Sequence, residues 1–383
     1  MRRRFLVATI ALVLVTAGCG DDDDDSGAER TTTTTTTTTA STTTTTPPAP
    51  TTAGPVTEPP AELVVEVLVS GLEVPWDVAF TPGSRAFVTE RSTGVVSEVA
   101  EDGTVAEVQR FDVDPAGEGG LLGLAASPTD DGLLIAYLTT AEDNRIVAFR
   151  PGGEPRPLLT GIPAGTVHNG GRIAFGPDGR LYAGTGDSGD EGLAQDPASL
   201  GGKILRLEPD GSVPADNPID GSPVYSRGHR NVQGLAWDAT GQLYATEFGP
   251  DRDDEVNRIE AGANYGWPEV TGAAGVEGFV DPVAVFQPPE ASPSGAAFVL
   301  GDRGGAWAGD LVFASLRGER LYRVAVDGAA GELRAEELSG RFGRLRHVEQ
   351  APDGSLWVLT SNRDGRGEPG PDDDRILRLV PPG

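Results

Sequence analysis

The chain has 383 residues, with 30 basic and 58 acidic side chains and a formal net charge of −28. An excess of anions this large argues against a nucleic-acid binder or a protein that grips an anionic membrane by charge, because both need cations. The 53 glycines and 31 prolines suit short strands joined by turns. A single cysteine, Cys19, excludes an internal disulfide, a cysteine-built zinc cage and a C-x-x-C-H haem site.

Read from the start, Arg2, Arg3 and Arg4 precede an apolar run from Phe5 to Ala17, which is short for a membrane-spanning helix. The run ends in Thr16-Ala17-Gly18-Cys19, which resembles a bacterial lipobox with Thr16 where leucine is commonest. We read residues 1–18 as a lipoprotein signal and Cys19 as the lipidated first residue of the mature chain; a plain secretory signal with a chance cysteine is the alternative. Cleavage would remove three arginines and move the net charge from −28 to −31. The expected location is the extracytoplasmic face of the cell membrane, held there by the lipid anchor only. Residues 19–60 follow, with the run Asp21 to Asp25, two threonine tracts and a proline-rich stretch. They offer no apolar surface to bury and read as a disordered tether. Contiguous aspartates on such a chain do not preform a calcium site, so the acidic run reads as a solvated spacer.

Residues 61–383 repeat. One pattern is a turn leading into an apolar strand: Gly83-Ser84-Arg85-Ala86-Phe87-Val88, Asp131-Gly132-Leu133-Leu134, Asp178-Gly179-Arg180-Leu181, Gly241-Gln242-Leu243-Tyr244, Gly309-Asp310-Leu311-Val312 and Asp353-Gly354-Ser355-Leu356. The other is an alternating strand carrying a charged residue, beginning near Val95, Arg145, Lys203, Glu255, Arg320 and Arg375. Each occurs six times, interleaved. The turn residues supply the bends, and the period of two fits strands with one buried face. Six units of about 54 residues predict an all-β, six-bladed propeller with room for long loops. Leu63 to Val69 is expected to join the last unit beside Arg375 to Val380 and close the ring. Helix is expected over no more than a turn or two, at Asp196–Gly201.

The repeats build a scaffold, and the loops that interrupt them carry chemistry. They hold His168-Asn169-Gly170-Gly171-Arg172, Gly184-Thr185-Gly186-Asp187, and Arg230-Asn231-Val232-Gln233-Gly234-Leu235. Further on come Glu247-Phe248-Gly249-Pro250 with Asp253-Asp254-Glu255-Val256-Asn257, and Asn264-Tyr265-Gly266-Trp267-Pro268. In this order and spacing the segments resemble the glucose/sorbosone dehydrogenase family, soluble aldose sugar dehydrogenases that use pyrroloquinoline quinone (PQQ). The resemblance runs from about Gly71 to Arg378.

It implies oxidation of an aldose at C1 to the lactone by hydride transfer to quinone C5. His168 matches the base that takes the C1 hydroxyl proton, and Asp187 the carboxylate that orients it; a histidine is suited to that task near neutral pH. Arg230 matches the arginine beside the quinone oxygen, and Asn231 a PQQ contact. PQQ carries three carboxylates, so a local cationic socket is needed within an anionic protein. Arg344 and Arg346, one residue apart in a strand-like segment, face the same way and can fork onto carboxylates; the family has a basic pair here. Arg317 stands where the family has lysine. Glu118 stands where it often has a cofactor-touching glutamine, and a carboxylate beside an anionic quinone needs to be protonated, turned away or paired with arginine. Gly249 and Pro250 match carbonyls that hold a Ca²⁺ ion under PQQ, and Glu255 with the Tyr265 carbonyl matches part of a second calcium site in some members. His229 and His347 carry no motif role.

With no haem motif, the chain is expected to pass electrons to an external acceptor. A six-bladed calcium-dependent lactonase or esterase and a non-catalytic extracellular binding propeller are the alternatives.

Overall fold

A computed structural model describes residues 62–383. The proposed signal, Cys19 and the whole of the tether lie outside the described residues. Twenty-four strands form six four-stranded antiparallel sheets. Both repeating patterns have a definite place in them. The turn-led strands are the second of each blade: Ala86–Glu90, Leu134–Thr139, Leu181–Gly184, Leu243–Glu247, Leu311–Ser315 and Leu356–Thr360. The alternating strands are the third: Val95–Val99, Asn144–Phe149, Lys203–Leu207, Asp254–Arg258, Arg320–Asp327 and Arg375–Val380. These twelve strands hold most of the buried apolar residues, and clusters such as Ile135, Ile146, Leu181 and Leu205 pack neighbouring blades face to face. Each fully buried aliphatic side chain there contributes roughly 1.5–3 kcal/mol.

Closure is as expected. Val64–Ser70 pairs antiparallel with Arg375–Val380, in the register Val65 to Leu379 and Val67 to Leu377, so the first strand completes the last blade. The α-helical turn falls at Gly192–Gln195, just before the segment expected to be helical. A 3₁₀ segment covers Asp302–Trp307.

The innermost strands carry polar residues toward the axis. Arg172 Nη1 lies 2.6 Å from Asp77 Oδ1, and its guanidinium stacks 4.1 Å from the Trp76 ring centre. Arg346 reaches Gln233 Oε1 at 3.2 Å. Because all neighbouring strands are antiparallel, the blade-to-blade connections and the loops between second and third strands emerge at one end of the ring. Every motif loop singled out above, apart from the Asn264–Pro268 excursion, starts from that end.

Candidate active site

At this end lies a cleft of about 470 Å³. Its wall includes Glu118, His168, Arg230, Gly249, Pro250, Arg317 and Arg344, seven of the residues singled out in the sequence. Asp254, which lies in the Asp253–Asn257 motif but was given no role, and Arg366, which no motif contained, also line it. A smaller cavity of about 210 Å³ shares Glu118 and Arg366 and adds Arg91, Arg346 and Asp364.

His168 sits on the loop between the second and third blades in a left-handed conformation, φ 54°. Three features enforce it. Glu118 Oε2 accepts the His168 N–H at 2.9 Å, and the Ser188 N–H donates to the His168 carbonyl at 3.1 Å. Gly186 passes so close that a Cβ there would stand 1.9 Å from the same carbonyl oxygen, so the second glycine of Gly184-Thr185-Gly186-Asp187 is required for packing. The imidazole Nδ1 lies 2.7 Å from Asp187 Oδ1. Burial would raise the Asp187 carboxyl, but the His168 ring and the Gly189 N–H outweigh it, and the group stays below its ordinary value. An ionised carboxylate only accepts, so Nδ1 carries the proton, and in the neutral ring Nε2 is the nitrogen with the lone pair. A nitrogen in that state can take a proton from a hydroxyl.

Arg230 anchors its own N–H on Glu247 Oε2 at 2.8 Å and sends Nη1 to the Gly249 carbonyl at 2.9 Å. Burial lowers its pKa, opposed first by Asp187 and Glu118. Asn231 is fully buried behind the cleft wall, its Oδ1 accepting the Gly170 N–H at 3.0 Å. Arg344 forks Nε and Nη2 onto Asp364 Oδ2 at 3.0 and 2.8 Å, and Arg346 Nη2 stands 3.7 Å from the same oxygen. Both guanidinium groups therefore converge on one carboxylate, which no sequence motif contained. Arg344 lines the main cleft and Arg346 the cavity beneath it.

Glu118 is paired. Arg366 Nη2 meets Oε1 at 2.9 Å while Oε2 holds the His168 amide. Burial pulls its pKa up, yet these partners leave it below the ordinary carboxylate value, so it is ionised and its charge is spoken for. Asp254 has only the N–H groups of Ser292 and Gly249 as direct partners, and burial pushes it up to about 6.

Among the described residues, four of the eleven buried side-chain polar atoms without a partner lie at this end. Arg91 Nε, Arg230 Nε, Asn231 Nδ2 and Arg346 Nε are all donors. A set of unmet donors among arginines fits an anionic, acceptor-rich ligand such as a polycarboxylate quinone. Gly249 and Pro250 border the cleft; the Gly249 carbonyl accepts from Arg230 here, and its second lone pair with the Pro250 carbonyl is the oxygen set a hard cation would use. Glu255 and Tyr265 are brought together around a much smaller space with Glu247 and Asp253. Glu255 is pushed up to about 8 by burial and by Glu247. Glu247 is already bonded to His229, Arg230 and Asn257, and Glu255 accepts from Asn257 and the Gly272 N–H, so a second cation there would share Asp253, Glu255 and carbonyl oxygens with these partners. Among the described residues no three His, Cys, Asp or Glu side chains converge as a metal cage. His229 and His347 are buried, on Glu247 and Asp77 respectively.

A six-bladed propeller with an imidazole–carboxylate pair facing an arginine-walled cleft defines a class of ligand-binding enzyme. Within that class, the family model described as glucose/sorbosone dehydrogenase matches residues 72–377. The chain belongs to that family and is an oxidoreductase. The PQQ-bound aldose sugar dehydrogenase of Streptomyces coelicolor is 49% identical, with a TM-score of 0.77 over 84% of this chain and 99% of that one. A putative glucose dehydrogenase of Thermus thermophilus is 45% identical, with a TM-score of 0.76 over 83% and 100%. An aldose sugar dehydrogenase of Escherichia coli is 31% identical over 80% of this chain and 92% of its own.

Proposed function

We propose that the protein is a PQQ- and calcium-dependent aldose dehydrogenase that oxidises the C1 hydroxyl of a cyclic aldose to the lactone. The observation that carries this is the His168–Asp187 pair set in a cleft walled by Arg230, Arg317, Arg344 and Arg366. PQQ, when bound, supplies the two-electron acceptor for the C1 hydride. The arginines would hold its carboxylates, and the carbonyls of Gly249 and Pro250 would hold calcium. His168 Nε2 accepts the C1 hydroxyl proton. Asp187 keeps the proton of Nδ1 in place and stabilises the imidazolium that forms, as the carboxylate of a catalytic triad does. Arg230 offers a fixed positive charge where negative charge develops. Electrons then leave to an external acceptor. Cys19 tethers the propeller to the outer face of the membrane; a Cys19→Ala chain that still sediments fully with membranes would count against the anchor.

The arginine wall and the free imidazole nitrogen favour this reading over a metal-activated water on a lactone. The test is purified protein with added PQQ and Ca²⁺, a panel of aldoses and an artificial acceptor dye. Dye reduction that needs all three components is expected; lactone hydrolysis without PQQ, or no turnover with any aldose, refutes it.

A further inference from the structure

Asp187 has two oxygens, and the proposed chemistry uses one. Oδ1 faces His168 Nδ1 and also accepts the Gly189 N–H at 2.9 Å. The torsion that carries a carboxylate is broad and roughly two-fold, so contacts on one oxygen alone leave the group free to swing off the ring. In this protein Oδ2 accepts the Trp267 indole N–H at 2.9 Å. The same indole lies beside Arg230, whose guanidinium carbon is 5.3 Å from the ring centre, within cation–π range.

Trp267 is itself held firmly. Its backbone N–H donates to the Gly228 carbonyl at 3.0 Å, two residues before Arg230. Its carbonyl accepts Gln195 Nε2 at 2.7 Å. Gln195 and Asn264 exchange amide bonds in both directions, at 3.0 and 2.8 Å. Three loops far apart in sequence are thus locked onto one ring.

We infer that Trp267 is a positioning residue: its N–H fixes the second oxygen of Asp187 and its face supports Arg230, so that the base and the arginine keep one spacing. This rests on reading His168 as the base. Indole is a donor only, so no tautomer of Trp267 can do otherwise than hold an ionised Asp187.

Trp267→Phe keeps a ring for packing and for Arg230 and removes the donor. Two measurements read the result. In the ¹⁵N-labelled apoprotein, the His168 Nδ1–H and Trp267 indole signals are assigned by their loss in His168→Ala and Trp267→Phe. In the holoenzyme, single-turnover reduction of bound PQQ by excess aldose is followed by stopped flow. Trp267→Phe is expected to fold, to bind PQQ within about threefold of wild type, and to lose the His168 Nδ1–H signal to exchange with water. Its reduction rate is expected to fall about tenfold, the rate equivalent of one hydrogen bond to a charged group. On an Asp187→Asn background it should add less than about threefold. A retained His168 signal with a wild-type rate overturns the inference, and so do losses that simply multiply. If His168→Ala reduces PQQ at the wild-type rate, the reading of the base fails; if His168→Ala is slow but Trp267→Phe is not, only the role of Trp267 fails. Should Trp267→Phe not fold, Gln195→Ala loosens the same loop without touching the indole. It should weaken the same signal, and an unchanged one overturns the inference.

Discussion

Replacing Asp187 by asparagine keeps the shape of the side chain but removes its charge and turns one acceptor into a donor. The surroundings allow that donor no comfortable place. Oδ1 receives the Gly189 N–H and the His168 ring at 2.9 and 2.7 Å, and Oδ2 receives the Trp267 N–H at 2.9 Å. If the amide nitrogen takes the Oδ2 place, it faces the indole donor. If it takes the Oδ1 place, it faces the Gly189 donor and makes His168 Nδ1 an acceptor. The ring proton then moves to Nε2, and no base faces the cleft. The first orientation leaves a donor unpaired, at about 1–3 kcal/mol, a loss of roughly 5- to 150-fold if it falls wholly on the transition state. The second approaches the full value of a positioned base, roughly 10²–10⁴-fold. The expected loss in Asp187→Asn is therefore about 10²-fold or more, bounded by the loss in His168→Ala. The double variant should be little worse than His168→Ala, because groups that act as a unit fail together. Stopped-flow reduction of bound PQQ by excess aldose measures the rate, and titration of PQQ absorbance checks that the cofactor still binds. A rate in Asp187→Asn within threefold of wild type would refute the argument. So would losses that multiply in the double variant.

Three further predictions concern the wall and its supports. Arg344→Ala with Arg346→Ala should abolish tight PQQ binding and also lower stability by about 3–5 kcal/mol, because the buried Asp364 carboxylate loses both close partners. Adding Asp364→Asn should restore the melting temperature but not the affinity, and wild-type PQQ affinity in the triple variant refutes the socket. Glu118→Gln keeps an oxygen for the His168 N–H while removing an anion and freeing Arg366, so PQQ should bind a few-fold tighter; weaker binding in the absorbance titration would mean the carboxylate itself serves the cofactor. Lys203, the one lysine, is buried with Nζ on the carbonyls of Leu193, Ala194 and Gly201 at 2.6, 3.0 and 2.7 Å, and burial pushes it down to about 8. Lys203→Met should cost about 2–4 kcal/mol. Above pH 8 the folded protein holds fewer protons on this group than the unfolded one, so wild-type stability relative to Lys203→Met should rise from pH 8 toward 10.5 in denaturant melts; a flat difference overturns the assignment.

What the sequence disclosed follows from where each strand sits. Second and third strands are covered by neighbouring blades, so they stay rich in apolar residues, and their turns keep glycine. The innermost strands do not. Leu121–Ala126 and Pro293–Phe298 carry glycine, serine and alanine because they converge on a crowded axis, and they read as loop. The outer strands Val105–Arg110 and Ala330–Glu337 are largely solvated and polar, so their periodicity is lost. At the site, His168 and Asp187 were legible because 19 residues join them within one pair of motifs. Trp267 lay inside a recognised motif, but its bond to Asp187 spans 80 residues and only folding shows it. Asp364 and Arg366 had no signal at all: they sit in a short Gly-rich loop whose partners, Arg344 and Glu118, are 20 and 248 residues away.

Charge at this site is decided by partners within a few ångströms and not by the −28 of the whole chain. Exposed charges beyond about 8–10 Å are screened at physiological salt, so the acidic surface affects approach far more than binding. Inside the cleft the same residue type behaves in opposite ways. Glu118, with an arginine on one oxygen and an amide on the other, stays ionised without being free to repel an anion. Asp254, with amides as its only direct partners, is pushed up to about 6 and spends part of its time neutral near pH 7. Asp364 is neutralised twice over by Arg344 and Arg346, which still leaves an excess of arginine once Arg91, Arg230 and Arg317 are counted. Each acid in the wall is thus answered locally, Glu118 and Asp364 by guanidinium groups and Asp254 by two backbone N–H groups. The unanswered donors of Arg91, Arg230, Asn231 and Arg346 are what remain for a ligand. That remainder makes an anionic pocket-filler bind to an anionic protein, and it depends on loops from all six blades meeting at one end of the ring.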